Sequence, residues 1–410
     1  LKRLTGLRES EKPVSSVSYA RFLTDGSQAM VYYYLGYYYE KKGDEQQAYR
    51  YYRLGSEMPT DLVFPSRLEA YDVLRSAIRK NPADAHAPYY LGNLMFDSQP
   101  ENAIEQWEKS RQLDGSFSIV HRNLALAYSR TLGKVPEAIA SLEAAIECDR
   151  DDPRYFLELD QLYETSGEAP KKRLALMQKN QKAVDKDDTL VMRQCILYVQ
   201  LGEYDKAIDV LENKHFHVWE GGGKIHDVFV DAHLARGQRY HEEHKYTEAL
   251  AEYVKALEYP VNLEVGRPHD GGRDPQIYYF VGTAHQALGD EEKARSGFGK
   301  SVVGIRPADS DLAYYQGLAL RKLGKEDRAG RLFEGLTESG TGMLEAGSVT
   351  DYFAKFGEKL SREALMAEAH YLRGLGHLGK GKETEAKREF EKALKLNINH
   401  IQAGMQLSAM

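Results

Sequence analysis

Histidines are the side chains of this sequence that come nearest to a metal-binding pattern, and their spacing argues against a metal site. His241 and His244 flank two glutamates, whereas a zinc-protease helix needs histidines four residues apart with a glutamate between them. No third ligand accompanies this pair, so we interpret the run as a solvated helix end. His215 and His217 lie two residues apart in a predicted loop, where a fortuitous metal site is the minor alternative. The sequence therefore predicts no metal site and no cofactor.

A glycine run before Lys224 looks like a phosphate-binding loop but lacks its spacing. A P-loop requires glycine, four residues and then Gly-Lys-Ser/Thr, following a strand. Here Val218 occupies the first glycine position and Ile225 follows the lysine. We interpret the run as a turn that leads into a helix; an anion held at that helix N-terminus is the alternative.

No catalytic residue is predicted from the sequence. It contains no Gly-x-Ser-x-Gly elbow, and carboxylate pairs such as Asp151-Asp152 stand between helices, where N-capping explains them. Carboxylates that are distant in the chain and meet only after folding stay open as a glycosidase pair. We therefore expect a non-enzymatic protein.

Trp219 and Glu220, with Asn262, Glu264 and Arg267 on the next long loop, form the set best suited to a ligand. An aromatic platform with a carboxylate, an amide and a guanidinium suits a sugar or a peptide segment. The structural alternative is that Trp219 caps an exposed repeat end and Arg267 pairs with Glu220. The predicted binding residues of the two loops are His217, Trp219, Glu220, Lys224, Asn262 and Arg267.

Composition and charge restrict the class of protein. The 410 residues are 42 % apolar and 29 % charged, which is typical of a folded chain and not of a disordered one. The net charge of −7 argues against a nucleic-acid partner, and no apolar stretch approaches the roughly 18 residues of a membrane span. Cys148 and Cys195 are expected to be buried free thiols of a reducing compartment, which favours a cytoplasmic location. Because Leu1 is no initiator methionine, we expect a fragment or a processed chain.

Small residues recur at a spacing that indicates internal repeats. Gly92 to Ala125 is 33 residues and Gly282 to Gly317 is 35, and strand patterns of period two are nearly absent. The small residues of the predicted first helices are Gly36, Gly92, Ala125, Gly282, Gly317 and Gly374. Those of the second helices are Ala48, Ala103, Ala138, Ala294, Ala329 and Ala386. The large residues four positions further on are Tyr52, Trp107, Leu142, Phe298, Phe333 and Phe390.

This pattern resembles the tetratricopeptide repeat, with about 34 residues and two antiparallel helices per unit. The resemblance implies an all-α, right-handed superhelical solenoid of antiparallel helix pairs, with about nine units, some of them degenerate. Small residues are expected where the two helices of a pair meet, because bulk there would hold them apart. The large residue is expected to fill the groove toward the next pair. Asp160 and Gln194 take the small position in two degenerate units.

Repeat arrays of this kind bind extended peptides along the groove that their first helices line. The function predicted from the resemblance is therefore an interaction scaffold for a peptide, a partner protein or an adjacent domain of the same chain. By repeat register, the groove positions are Tyr33, Tyr37, Tyr89, Asn93, Arg122, Leu126, Arg154, Gln161, Tyr279, Thr283, Tyr314 and Arg321. Tyrosine and arginine are enriched at interaction hot spots.

A narrower resemblance rests on five runs of residues. The runs are 121–124, 217–222, 259–263, 315–324 and 374–379. Together they resemble the C-terminal repeat region of large bacterial proteins that carry an uncharacterised β-rich N-terminal domain and occur in carbohydrate-utilisation contexts. This resemblance implies a context and no reaction. It supports an alternative function, an accessory helical domain of a carbohydrate-active protein whose loops 215–224 and 259–267 shape a sugar site.

The spacing of the repeats predicts the domain organisation. Residues 1–28 are expected to be a linker or docking segment, and residues 29–214 the first half of the array. Residues 215–336 are expected to be repeat units with insertions at 215–224 and 259–274. Residues 337–366 are a predicted insertion, and residues 367–410 the last unit with a capping helix.

Overall fold

The structure is a computed structural model that describes residues 19–217, 224–346 and 362–410, with side chains from residue 29 onward. Within these ranges every α-helix is followed by a turn or loop and no strand occurs, so the predicted all-α class is confirmed. The chain divides into two compact units, residues 1–162 and 163–410, which we name unit 1 and unit 2. No helix in the described ranges is long and apolar enough to cross a membrane.

Unit 1 is built from antiparallel helix pairs and one single helix. Its helices are α1 (Tyr19–Lys41), α2 (Glu45–Ser56), α3 (Glu69–Lys80), α4 (His86–Met95), α5 (Pro100–Leu113), α6 (Ser118–Arg130), α7 (Val135–Cys148) and the start of α8 (Pro153–Thr165). The pairs are α1/α2, α4/α5 and α6/α7, and α3 stands alone between two of them. Helix α1 begins inside the segment that the sequence predicts to be a linker.

Unit 2 continues the same arrangement. Its helices are α9 (Pro170–Lys179), α10 (Gln181–Val184), α11 (Asp188–Gln200), α12 (Tyr204–Asn213), α13 (Lys224–Glu242), α14 (Tyr246–Lys255), α15 (Asp274–Ala287), α16 (Glu291–Ser301), α17 (Leu312–Lys322), α18 (Glu326–Ala346), α19 (Arg362–Gly379), α20 (Glu383–Leu396) and α21 (Ile401–Ser408). A 3-10 turn, Val261–Leu263, lies between α14 and α15. Helix α18 runs to Ala346, past the predicted start of an insertion at residue 337.

Local sequence explains the tight turns between paired helices. Gly43 and Gly289 adopt φ values of 80° and 78°, in the left-handed region that glycine occupies without a steric penalty. Each is followed by an aspartate, Asp44 or Asp290, whose side chain accepts a hydrogen bond from a backbone N–H of the next helix. A helix end, a turn and a helix start are thus encoded in adjacent residues.

The small residues do lie where paired helices meet, and a large ring of the second helix contacts them there; at Gly282 the predicted partner Ala294 also lies close, through its carbonyl oxygen. A Cβ built on Gly92 would lie 2.4 Å from Trp107 Nε1, and one built on Gly282 would lie 2.6 Å from the Phe298 ring. Each glycine of a first helix therefore accommodates the aromatic ring of the second helix in its own pair. The sequence predicts that this ring fills the groove toward the next pair. In the structure the ring also packs against the glycine of its own pair. Ala103 is fully buried beside this contact.

The last helix, α21, packs back onto the first helices of unit 2. Ala403 and Ile401 are buried, with 0 and 9 % exposure. Arg173 on α9, itself 1 % exposed, donates a hydrogen bond from its NH1 atom to Asn399 Oδ1 at 2.6 Å. Gln402 donates to Asp231 Oδ2 on α13 at 3.1 Å. The predicted capping helix is therefore held by helices that lie far away in sequence.

The two cysteines differ from each other. Cys195 is buried in α11, where burial raises the pKa of its thiol to about 12. Cys148 is exposed at the end of α7, which corrects the expectation that both are buried. The apolar face of α7 ends one turn earlier, at Ala145 and Ile146, so Cys148 falls on the solvent side.

Candidate functional site: a groove in unit 1

An open groove of about 700 Å³ runs along the first helices of unit 1. Five predicted groove residues line it: Tyr89, Asn93, Arg122, Leu126 and Arg154. Tyr89 and Asn93 on α4, and Arg122 and Leu126 on α6, are each four residues apart, which places them on one helix face. The connection 60–64 between α2 and α3 closes one side of the groove. Further lining residues are Thr60, Asp61, Leu62, Phe64, Phe96, Asp97, Trp107, Phe117, Ser118, Ile119, Asn123, Asp149, Asp152 and Tyr155.

Two asparagines are oriented in the groove by a buried tryptophan. Trp107 Nε1, which can only donate, bonds to Asn93 Oδ1 at 3.1 Å and to the Tyr89 carbonyl oxygen at 3.2 Å. Asn123 Nδ2 donates to the same Asn93 oxygen at 3.0 Å. The amide nitrogen of Asn93 consequently faces the Tyr89 hydroxyl. Burial raises the pKa of Tyr89, and the hydrogen bond from Asn93 partly opposes that rise.

Both groove arginines already have a carboxylate partner. Arg122 Nε donates to Glu158 Oε2 at 2.9 Å, and Arg154 Nε donates to both oxygens of Asp152 at 3.0 Å. Burial alone would raise the pKa of Asp152, but the hydrogen bonds from Arg154 outweigh burial and lower it. The two guanidinium groups are therefore neutralised inside the protein and are not free cations for a ligand.

The rim of the groove exposes large apolar side chains. Phe64 is 73 % exposed and Leu62 is 53 % exposed, while Val63 between them is buried and anchors the connection. Leu62 has a φ of 59°, which is unusual for a residue with a branched side chain and costs about 1–2 kcal/mol. The strained backbone thus holds two apolar side chains in water beside the groove.

Carboxylates outnumber guanidinium groups along the groove. Its lining contains Asp61, Asp97, Asp149 and Asp152 against Arg122 and Arg154, a formal charge of 2 − 4 = −2. In the part of the chain that the structure describes, Asp61, Asp97 and Asp149 form no salt bridge, and this excess of negative charge faces solvent. The groove is therefore apolar at its rim and acidic along its length.

Other predicted groove positions of unit 1 lie elsewhere. Tyr33 is fully buried and donates a hydrogen bond to Asp84 Oδ2 at 2.8 Å, so it belongs to the core. Tyr37 is half-buried, and Lys41 Nζ lies 4.9 Å from its ring centroid. Gln161 is exposed on α8 but does not line the groove.

In unit 2 the corresponding residues are occupied by contacts within the protein. Tyr279 packs against Phe298 and Tyr315, and Tyr314, only 6 % exposed, packs against Phe333. Thr283 donates a hydrogen bond to the Phe280 carbonyl oxygen. Arg321 is exposed and donates to the Gly379 carbonyl oxygen at 2.7 Å.

Helix α21 contacts Tyr315, the residue that packs against the predicted groove residue Tyr279. Gln406 Nε2 donates to Tyr315 Oη at 3.2 Å, and His400 Nε2 lies 3.2 Å from Glu368 Oε2. Periodicity does not reveal this contact, because it joins the last residues of the chain to helices that precede them by tens of residues. The face of unit 2 that carries Tyr315 and Asp231 is thus covered by the protein itself.

The predicted loop site is brought together only in part. Asn262 uses its amide inside the protein, donating to the carbonyl oxygens of Leu211 and Lys214 at 2.8 and 2.7 Å. Arg267 pairs with Asp274 and lies 5.9 Å from the Tyr259 ring centroid. Trp219 and Glu220 lie outside the described residues.

Two further predicted loop residues, Lys224 and His217, are exposed. Lys224 lies at the start of α13. His217 has Glu264 and His215 as neighbours. In the described ranges His215, His217 and Glu264 form the one group of three or more His, Cys, Asp or Glu side chains that could hold an ion. Helix α13 ends at Glu242, between His241 and His244.

Comparison with known proteins identifies the repeat in one helix pair. Residues 367–400, which contain Gly374, Ala386 and Phe390, match the family model of the tetratricopeptide repeat. Among solved structures, the chain is similar to YrrB, a TPR protein with an unusual peptide-binding site, at 15 % identity and a TM-score of 0.30, covering 62 % of this chain and 99 % of that one. It is also similar to the TPR2AB domain of yeast Sti1 in complex with pHSP90, at 15 % identity and a TM-score of 0.30, covering 70 % and 99 %. A third similar structure is Naa15/Naa10 bound to HypK-THB, at 12 % identity and a TM-score of 0.42, covering 93 % of this chain and 60 % of that one.

Proposed function

We propose that the chain is a non-enzymatic interaction scaffold built from tetratricopeptide-like pairs, and that the groove of unit 1 binds an extended peptide segment of a partner protein. The observation that carries the proposal is the exposure of Phe64 and Leu62 at the rim of a groove lined by oriented asparagines. Exposed apolar groups of this size at a concave, polar-lined surface are typical of interaction sites.

The apolar rim supplies the anchor for one large side chain of the peptide. Phe96 and Phe117 line the same groove as Phe64 and Leu62, so the groove offers apolar surface to an aliphatic or aromatic side chain. Contact with an exposed ring of this kind typically supplies a large share of the binding free energy.

The asparagines suit the peptide backbone. A side-chain amide offers two N–H donors and one oxygen with two lone pairs. Asn93 Oδ1 already accepts from Trp107 and Asn123, so a lone pair of Asn123 Oδ1 and the remaining amide N–H groups are left to bond to the N–H and C=O groups of an extended chain. Asn93 and Asn123 are linked to each other and to Trp107, so their orientation is set before a ligand arrives. Such preorganisation lowers the entropic cost of binding.

Charge selects a peptide with basic residues beside its apolar anchor. Asp61, Asp97 and Asp149 have no cationic partner among the described residues, whereas Arg122 and Arg154 are already neutralised. A lysine or arginine in the peptide would find unpaired carboxylates, and an acidic residue would be repelled by them.

The test is selection of a displayed library of random extended peptides on the full chain, followed by titration of a selected peptide by fluorescence anisotropy. We expect selected sequences to place Lys or Arg next to a Leu, Phe or Trp. The variant Phe64→Ser should weaken binding by roughly 30-fold, as expected for a hot-spot residue. The variant Asp97→Asn should weaken binding less and reduce its salt dependence.

Leu68→Ser is the matched control, because Leu68 is 88 % exposed in the same connection but does not line the groove. Its affinity should equal that of the unmodified chain. Acidic consensus peptides, or equal effects of Phe64→Ser and Leu68→Ser, would refute the proposal. Retention of a glycan on an array, with no peptide selected, would favour the accessory carbohydrate role instead.

A further inference from the structure

Two histidines and a glutamate meet on the surface of unit 2, where two separate loops come together. His215 and His217 follow α12, and Glu264 follows the 3-10 turn Val261–Leu263. His215 Nε2 lies 2.8 Å from Glu264 Oε1, and His217 Nδ1 lies 3.7 Å from the same oxygen. One ligand atom from each of the three side chains lies within 4.8 Å of the other two. All three side chains are open to solvent, so an ion can reach them without a structural change.

Both loops are held in place by buried contacts rather than by the three side chains themselves. Phe216, between the two histidines, is 2 % exposed, and its N–H donates to the Asn262 carbonyl oxygen at 2.8 Å. The Asn262 side chain donates back to Leu211 and Lys214 at 2.8 and 2.7 Å. The loops therefore share a network of backbone hydrogen bonds, which keeps the histidines beside the glutamate.

Each outer residue of the trio is also fixed individually. The His217 N–H donates to Asp188 Oδ2 at 2.8 Å. Glu264 has a φ of 52°, in the left-handed region, directly after the fully buried Leu263. Strained backbone conformations of non-glycine residues are concentrated at functional sites. The backbone of His217 and Glu264 is thus positioned by the fold and not by the attraction between the side chains.

We propose that His215, His217 and Glu264 form a binding site for Zn²⁺. Two imidazole nitrogens and one carboxylate oxygen are a ligand set that zinc uses, with water completing the tetrahedron. Ligands at bond lengths of about 2.0–2.1 Å around a tetrahedral ion are separated by about 3.4 Å. The observed separations of 2.8 and 3.7 Å to the Glu264 oxygen bracket that value. The hard cations Mg²⁺ and Ca²⁺ prefer all-oxygen ligands and are disfavoured here.

Zinc at this position would join the loop after α12 to the loop after the 3-10 turn. A ligand that binds only the folded state raises its stability in proportion to the logarithm of ligand concentration over Kd. The expected role is a cross-link between consecutive helix pairs, with one coordination position left to solvent. This role is independent of peptide binding in unit 1.

The test uses the full chain, without an affinity tag, after treatment with a chelator. Isothermal titration with ZnCl₂ should show one site per chain, and the melting temperature should rise with zinc concentration. Titration with MgCl₂ should show neither effect. The variants His217→Ala and Glu264→Gln should each weaken zinc binding by more than the roughly 10- to 100-fold that loss of an outer-shell contact costs.

His269→Ala is the matched control, because His269 is an exposed histidine of the same unit outside the trio. Its zinc affinity should equal that of the unmodified chain. The absence of zinc binding at sub-millimolar concentration would overturn the proposal. Zinc binding that survives both His217→Ala and Glu264→Gln would also overturn it, since the ion would then be held elsewhere.

Discussion

The substitution Gly317→Ala tests how tightly the aromatic rings are held between paired helices. A Cβ at position 317 would lie 2.5 Å from Phe333 Cε1 and 2.7 Å from its Cζ. The ring has no space on its other side, because a Cβ at Gly379 on α19 would lie 2.2 Å from Phe333 Cδ1. Phe333 is fully buried, so either the ring or a helix must move to admit the added methyl group.

The magnitude follows from two opposing effects. Overpacking a core by one carbon typically costs about 1–3 kcal/mol, while replacing glycine by alanine in a helix gains about 0.5–1 kcal/mol. We therefore expect Gly317→Ala to lower the free energy of unfolding by about 1–2 kcal/mol. Gly330→Ala, in the adjacent helix α18, meets nothing within 4 Å. This matched control should instead gain about 0.5–1 kcal/mol.

The measurement is urea unfolding of the full chain followed by far-UV circular dichroism at 25 °C. A second pair of variants carries Phe333→Leu with and without Gly317→Ala. The alanine should cost less in that background, because the smaller side chain leaves room for the methyl group. An unfolding midpoint for Gly317→Ala equal to or above that for Gly330→Ala would refute the interlocked packing.

Two further changes probe unit 2. Burial raises the pKa of Glu252, but hydrogen bonds from His233 and Arg236 outweigh burial and lower it below the ordinary 4.5. The resulting stabilisation is present above that ordinary pKa and is lost as the pH falls through the lower pKa of the folded state. Glu252→Gln should therefore cost about 2 kcal/mol at pH 7, and the cost, measured by urea unfolding, should decrease as the pH is lowered below 4.5; a cost that does not change with pH would contradict this. Ala403→Asp places an unpaired charge at a fully buried position of α21 and should remove hydrogen-exchange protection from residues 398–410, whereas the exposed Ser408→Asp should not; equal protection in both variants would show that α21 is not held by this surface.

The helix pairs could be predicted from the sequence because their determinants are local and periodic. Gly92 and Ala103, or Gly282 and Ala294, recur at the spacing of one repeat, and only small residues fit where paired helices meet. The partner of each glycine could not be predicted in the same way. Spacing shows which residues share a helix face, but it does not show which neighbouring helix a bulky ring packs against.

The groove of unit 1, too, could be predicted from the sequence only in part. Repeat register identifies Tyr89, Asn93, Arg122 and Arg154 as residues of one face, and the structure lines one groove with them. The register contains no information about ion pairs, so it predicts Arg122 as a binding residue without indicating that Glu158 accepts a hydrogen bond from it. The rim residues Leu62 and Phe64 were not identified either, because they lie in a non-repeating connection.

The Arg173–Asn399 hydrogen bond spans 226 residues, and this separation has a consequence for how the protein is made. In a linear repeat array each hairpin needs only its neighbours, so folding can spread from any point as synthesis proceeds. Unit 2 cannot complete its structure in that way, since the groups that cover α9 and α13 are synthesised 226 and 171 residues after their partners. Contacts of such high sequence separation slow folding. Until residues 399–402 have been synthesised, the faces of α9 and α13 that they cover stay exposed, and transiently exposed surface of this kind favours aggregation.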